Sequence, residues 1–322
     1  MLHRGTSVTP RSSRRLRPYL MEWVVQEKTR DSYKKAVRGY LQWVVDNDDI
    51  TTDLEGFDDS LLDYIQELHA TGVEGATNKS KAIRTIAGLQ LFFPQLKNHL
   101  SRSRQAVRGW TKRAVGRSYP PLTWELAAVL AVYLAREGLH REAIGVLLSF
   151  DCFLRVSELC RIRARDVADW HDSRISGGYK NMLIHLRITK TGNNKSVKVL
   201  DPQVQNLLRD LVGRCQPTDM LFPFTPDRFR TVLHSACAVL GLSRLYVPHS
   251  LRHGGATHYF HVLNMSMETV IHRGRWASAE SARRYIQMGV AMLMEMDAPE
   301  VVKLGIEIVK DLDLYLSLAQ KH

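Results

Sequence analysis

The stretch MLIHLRITKTGNNKSVKVL, residues 182–200, decides the fold class. Its first half, LIHLRITK, alternates apolar and polar side chains, TGNN supplies turn chemistry, and KSVKVL alternates back, which predicts an antiparallel hairpin. It is the one clear period-two signal in the 322-residue chain. Elsewhere the apolar residues recur at helical spacing, so the sequence predicts a mainly α protein with one small antiparallel β-sheet.

Upstream of the hairpin, Thr123 can cap a helix that runs through Glu137, and His140 to Phe153 gives another. Pro120-Pro121, after Val115-Gly116-Arg117-Ser118, reads as a domain boundary. Before it, Tyr33, Ala36, Val37, Tyr40, Leu41 and Val44 fall on one helical face. Thr29 or Asp31 can cap that helix, and the Asp46-Asn47-Asp48-Asp49 cluster can end it. Further helices fit Ser60 to Ala70, Asn78 to Phe93 and Ser101 to Val115, which together give a helical bundle. Downstream of Asp201-Pro202 the pattern is helical to the end, broken by Pro217, Pro223, Pro226, Pro248 and Pro299. The expected layout is a basic arm over 1–18, a helical domain over 19–116, a second domain over 117–295 and a terminal helix over 296–322.

Apolar residues make up 44% and charged residues 24%, ordinary globular composition, and no apolar run has the ~18–20 residues needed to span a bilayer. The N-terminal segment is basic but lacks the apolar core of a secretory signal. The four cysteines form no CxxC pair, so buried free thiols in a reduced intracellular compartment are expected rather than disulfides or zinc. A net charge of +12 points to a polyanionic partner. Charge is also segregated: the stretch from Asp46 to Glu74 is acidic with no Lys or Arg, whereas 97–117 carries bases and no acid. Lys97, Arg102, Arg104, Arg108, Lys112 and Arg113 are therefore candidate DNA contacts, with a solvated basic helix as the bland reading.

Taken singly, the chemically interesting residues are ambiguous. Arg155, in FLRVSEL, follows an apolar approach and precedes a helix that Ser157 and Glu158 would open; it is either an ordinary ion-paired residue or one facing a planar anion. His249 and Arg252, in HSLRHGG, lie three apart and can face one point. Lys190 ends a strand at a turn, where most lysines are idle. Tyr285, in SARRYIQ, sits on an expected helix, and Trp276 is by default a packing residue.

In order and spacing, FLRVSEL, ITKTG, HSLRHGGATH, GRW and Tyr285 resemble the catalytic domain of the tyrosine recombinases, the class of phage integrases, Cre-like recombinases and Xer proteins. The resemblance covers residues 20–290 and is strongest over 150–287, and the helical domain before it is similar to the family's core-binding domain. It implies that Arg155 and Arg252 clamp the scissile phosphate, that Glu158 supports them, and that Lys190 is the hairpin lysine. It further implies that His249 is the first histidine, that Trp276 stands where the family has His or Trp, and that Tyr285 is the nucleophile. Gly254-Gly255 replaces bulkier residues after the second arginine and is expected to loosen that helix; Lys195 and Lys198 are rival hairpin lysines.

Such residues suit transesterification at a phosphodiester. Two arginines meet the charge that grows on the nonbridging oxygens. A phenol, of reference pKa ~10, needs cations nearby to attack as phenolate. His249 can assist proton movement, Lys190 can protonate the departing 5′-hydroxyl, and Trp276 can donate its indole N–H. The implied product is a 3′-phosphotyrosyl linkage whose resealing needs no ATP, and no cofactor or metal is expected; P-loop and HExxH patterns are missing from the sequence.

The implied partners are double-stranded DNA and further copies of the chain, as a tetramer on two synapsed sites, with no membrane and with a terminal helix able to dock on a neighbouring protomer. Alternatives are a catalytically silent DNA-binding derivative, a type IB topoisomerase or a hairpin resolvase. The GRW and HGGATHYF variants resemble recombinases of eukaryotic DIRS-type mobile elements more than Xer proteins. That implies nuclear action with RSSRRLRP as an address; in a bacterial or phage protein the same arm would be a DNA-contacting tail in the cytoplasm or nucleoid.

Overall fold

Apolar periodicity of two and of 3.6 sorts the chain into one small sheet and a series of helices in the computed structural model, which describes residues 24–72, 76–113, 119–175, 178, 180–189 and 192–319. The basic arm expected over 1–18 and the hairpin Lys190 lie outside the described residues. Contacts divide the chain into two units, Met1–Arg117 and Ser118–His322.

The first unit is helical. Helix α1 (Glu27–Asp46) buries Ala36, Val37 and Tyr40 against α2 (Leu54–Ala70) and α3 (Ala76–Phe92), while Leu41 of the expected face stays exposed. Its start is Gln26 rather than Thr29 or Asp31. Helix α2 begins six residues before the expected Ser60, because the Asp53 side chain accepts from the Gly56 amide and caps it there. A 3-10 turn, Pro94–Asn98, leads into α4 (Ser101–Arg113).

The segregated charges of this unit meet in space. Asp58, one of the acidic run, is buried and accepts from the Arg102 and Ser103 amides (2.9 and 3.1 Å) and from the Ser103 hydroxyl (2.6 Å), so it caps α4. Asp59 pairs with Arg102.

The second unit is built round α5 (Trp124–Arg136), which is buried on nearly every side, as expected of a central helix. Against it lie α6 (His140–Asp151) and the C-terminal helices. After α6 come α7 (Val156–Leu159), a 3-10 turn (Ala164–Asp166) and strand β1 (Val167–Ala168). Strands β2 (Met182–Thr189) and β3 (Gly192–Val199) form the expected hairpin, pairing Ile184 with Val197, and β1 adds a third antiparallel strand beside β2. Met182, Ile184, Leu186, Val197 and Val199 face the core. Helices α8 (Pro202–Gly213) and α9 (Pro226–Val239) follow, each with Pro in its first turn.

Helix α10 (Pro248–His261) crosses close to α6. A Cβ on Gly255 would lie 2.1 Å from the Phe150 carbonyl oxygen, and one on Gly254 1.7 Å from that of Leu122. The glycine pair therefore permits close backbone approach, where the sequence suggested a loosened helix. Then come α11 (Met267–Gly274), the short α12 (Ala279–Arg283) and α13 (Met288–Met296).

The single terminal helix expected over 296–322 is instead α14 (Pro299–Lys310) and α15 (Leu312–Ala319), broken at Asp311. Both pack on α5 of their own unit, where Ile308, Leu312, Leu316 and Ala319 join the core. All four cysteines are free; Cys152 and Cys237 are buried, whereas Cys160 and Cys215 are only half-buried. Among the described residues no helix is long and apolar enough to cross a membrane.

Candidate active site

Helix α6 ends at Asp151, and Phe153 just beyond it takes a left-handed backbone (φ 50°). That reversal lets the Phe153 carbonyl accept from two guanidinium groups, those of Arg252 and of Arg275 (2.9 Å). Arg155 then forms the N-cap of α7. Its amide donates to Glu158 Oε2 at 2.9 Å, and its Nη1 meets Glu158 Oε1 at 2.7 Å. The Arg155 side chain keeps 19% exposure, against 2% for Glu158. Burial alone would raise the Glu158 carboxyl, but the Arg275 guanidinium and then Arg155 more than offset it and hold it below the usual range.

On α10, Pro248 opens the first turn, and His249 and Arg252 follow on one face. Arg252 is fully buried. Its guanidinium donates to the carbonyls of Phe153 and Gly274, and lies 4.5 Å from the Trp276 ring and 5.5 Å from the Tyr285 ring. Burial, with the neighbouring Arg155 and Arg275 charges, pushes its pKa down to about 9. The Arg252 Nε and Trp276 Nε1 groups are buried with no partner among the described residues. Buried donors normally find acceptors, so such donors are available to an anion's oxygens.

Tyr285 is not on a helix. Ser278 caps the short α12, which ends at Arg283, and Tyr285 sits in the following turn with its amide on the Ala282 carbonyl (2.8 Å). Thr257 of α10 staples that turn: its hydroxyl donates to the Tyr285 carbonyl (3.1 Å) and accepts from the Gln287 amide (3.1 Å). The phenol oxygen thereby comes to 3.3 Å from His249 Nε2. Trp276 lies beside the Tyr285 ring, with centroids 4.8 Å apart, and His253 lies against it at 4.4 Å. Burial, aided by His249 and Arg252, pushes His253 down to about 3, so it stays neutral.

Arg155, Glu158, His249, Arg252, Trp276 and Tyr285 thus converge within the second unit. The six basic candidates lie in the first unit, and two are engaged within it: Arg102 pairs with Asp59, and Arg104 donates to the Leu100 and Lys97 carbonyls. Lys97, Arg108, Lys112 and Arg113 are exposed. Three residues at the site had no role assigned in the sequence reading: Arg275, His253 and Thr257. Their signal was only adjacency, since all lie inside the HSLRHGGATH and HRGRW segments.

The model of the phage integrase family matches residues 127–291. A tyrosine recombinase of Pseudothermotoga lettingae is 23% identical over 242 residues, which is 73% of this chain and 78% of the relative. Among solved structures, the Tn1549 transposon integrase in complex with transposon right end DNA aligns with a TM-score of 0.58 at 11% identity, over 86% of this chain and 95% of that one. A λ integrase dimer bound to a COC′ core site aligns with a TM-score of 0.56 at 16% identity, over 84% and 92%. A λ integrase tetramer bound to a Holliday junction aligns at 0.51 and 15% identity, over 84% and 74%. At these identities the structural likeness is one of fold.

Proposed function

The chain belongs to the phage integrase family, and on that premise we propose that it is a site-specific DNA recombinase that cuts and rejoins strands through a 3′-phosphotyrosyl intermediate on Tyr285. The observation that carries this reading is the Tyr285 phenol 3.3 Å from His249 Nε2, over the Arg252 guanidinium, with the orphaned Arg252 Nε and Trp276 Nε1 donors beside it.

In the proposed step the scissile phosphate sits between Arg155, Arg252 and Trp276, whose N–H groups meet its nonbridging oxygens. Tyr285 Oη attacks phosphorus and passes its proton towards His249; the P–O5′ bond breaks, and the leaving oxygen takes a proton from Lys190. The 3′-phosphate remains esterified to the phenol, so the reverse attack by a 5′-hydroxyl reseals a strand with no outside energy source. Arg155 is the first of the clamp to meet a phosphate, because Arg252 lies wholly beneath the Trp276 and Tyr285 rings. Those rings must shift for its N–H groups to be reached.

Duplex DNA as substrate, assembly of several copies on paired sites, and a role in mobile-element integration or excision belong to the same proposal. They are supported by the family, by the basic charge, and by the DNA-bound and tetrameric states of the fold's neighbours.

The test is incubation with a pooled library of duplexes that carry a randomised core and 5′-bridging phosphorothiolates. Cleavage there releases a thiol that reseals poorly, so covalent complexes accumulate. Wild type is expected to give an SDS-stable adduct that Tyr285→Phe does not. An adduct that persists in Tyr285→Phe, or none with wild type despite tight binding, overturns the reading.

A further inference from the structure

Arg275 lies between Gly274 and Trp276 with φ 57° and ψ 38°, the left-handed backbone that ends α11. Glycine takes this conformation without cost at helix ends, and an L side chain is strained there. Arg275 takes it and sinks its guanidinium, leaving its side chain 4% exposed. Nη2 meets Glu158 Oε2 at 2.8 Å and the Phe153 carbonyl at 2.9 Å, while Nη1 donates to the Arg273 carbonyl at 2.9 Å.

Both anchors are shared. Glu158 gives its other oxygen to Arg155, and the Phe153 carbonyl also receives Arg252. We propose that Arg275 is a positioning residue, which fixes the direction of Arg155 through Glu158 and that of Arg252 through the Phe153 carbonyl, without touching DNA. With Oε2 taken by Arg275 and by the Arg155 amide, the Arg155 guanidinium reaches the carboxylate through Nη1 alone, and its Nε and Nη2 have no partner among the described residues. Without Arg275, Oε2 would keep only the Arg155 amide and could take a second guanidinium N–H from Arg155, closing the fork-to-fork pair that both groups prefer and turning Arg155 from the phosphate. The inference rests on the proposed clamp role of Arg155 and Arg252.

The test compares Arg275→Gly and Arg275→Lys with wild type on the pooled phosphorothiolate duplexes. Adduct formation is measured in single turnover at saturating DNA, with DNA affinity and thermal melting followed alongside. Glycine relieves the backbone strain and removes the guanidinium; lysine keeps the charge but lacks the planar fork that spans the separated acceptors. Both variants are expected to form adduct about 10- to 100-fold more slowly per folded molecule, with affinity within about twofold, as displaced catalytic groups behave. Millimolar methylguanidinium should restore part of the Arg275→Gly rate. If Arg275→Gly fails to fold, Arg275→Lys decides. Adduct formation at the wild-type rate in a folded variant, or a loss that shows as weaker DNA binding instead of slower cleavage, overturns the proposal while leaving the recombinase reading intact. Lack of a Tyr285-dependent adduct with wild type overturns both.

Discussion

Two buried carboxylates flank the same turn after α6, Asp151 holding one arginine and Glu158 two, and they differ in what they leave open. Asp151 is 1% exposed. It pairs with Arg273 (3.2 Å), accepts from the Tyr259 hydroxyl, and receives the Leu200 amide (3.0 Å), so it ties α6 to α10, α11 and the exit of the hairpin. Burial and then the Asp151 charge push the Tyr259 phenol far above the usual range, which keeps it a proton donor. Arg273 caps the assembly, stacked over Tyr259 and Phe153. Glu158, seven residues on in the chain, is as deeply buried but serves two guanidiniums, and one of them reaches solvent. Beside it stand the orphaned donors of Arg252 and Trp276 and the half-buried Tyr285. Burial and ion pairing are common to both clusters. Unsatisfied donors and partial access set apart the one proposed to take a phosphate.

The largest expected effect falls on the closed cluster. Arg273→Ala leaves the Asp151 carboxylate buried without its cation, which typically costs about 3–5 kcal/mol of stability. Chemical denaturation should show that loss, while adduct formation per folded molecule stays near wild type. A selective loss of rate with stability unchanged would show that the two clusters are not divided as described.

Arg155→Ala should invert the pattern. Glu158 keeps Arg275, so the fold is little affected, but the donor proposed to meet the reacting phosphate is lost. Adduct formation is expected to fall about 10²–10³-fold. A variant that melts far below wild type yet cleaves normally would place Arg155 with the structural arginines.

The hairpin was legible because alternation and turn residues lie within nineteen consecutive positions, 182–200, and need no distant partner. Strand β1 was not: Val167–Ala168 is too short to show a period and exists through pairing with Ile184 and Leu183. The site residues could be placed by a motif order that resembles a family, but their supports could not. The partner of Arg275 is 117 residues away, and that of Arg273 is 122. Tyr285 reads as helical from its neighbours, yet the Ser278 cap and the Thr257 staple stop α12 before it. The glycine pair of α10 looked permissive in the sequence, whereas in the fold it is a steric requirement set by Phe150 and Leu122.

The smallest effect at neutral pH belongs to His253, and it appears only on acidification. His253 faces His249 and Tyr285, with the Arg252 charge close by, and its folded pKa is pushed down to about 3. An unfolded histidine titrates near ~6.5. Between those values the unfolded chain takes a proton that the folded site refuses, so this contribution is complete above pH ~6.5 and is lost as the pH falls towards 3. His258, lowered by burial, adds in the same direction. His253→Asn should therefore leave neutral stability nearly unchanged but flatten its decline between pH 6 and 4, by about 1.4 kcal/mol per pH unit for one proton. Denaturant unfolding at a series of pH values reads this directly. An unflattened slope in His253→Asn would mean that the folded site does accept the proton. The proposed nucleophile would then sit against a cation on the α10 side, and the proposed phosphate-binding cluster would carry more charge than its geometry now indicates.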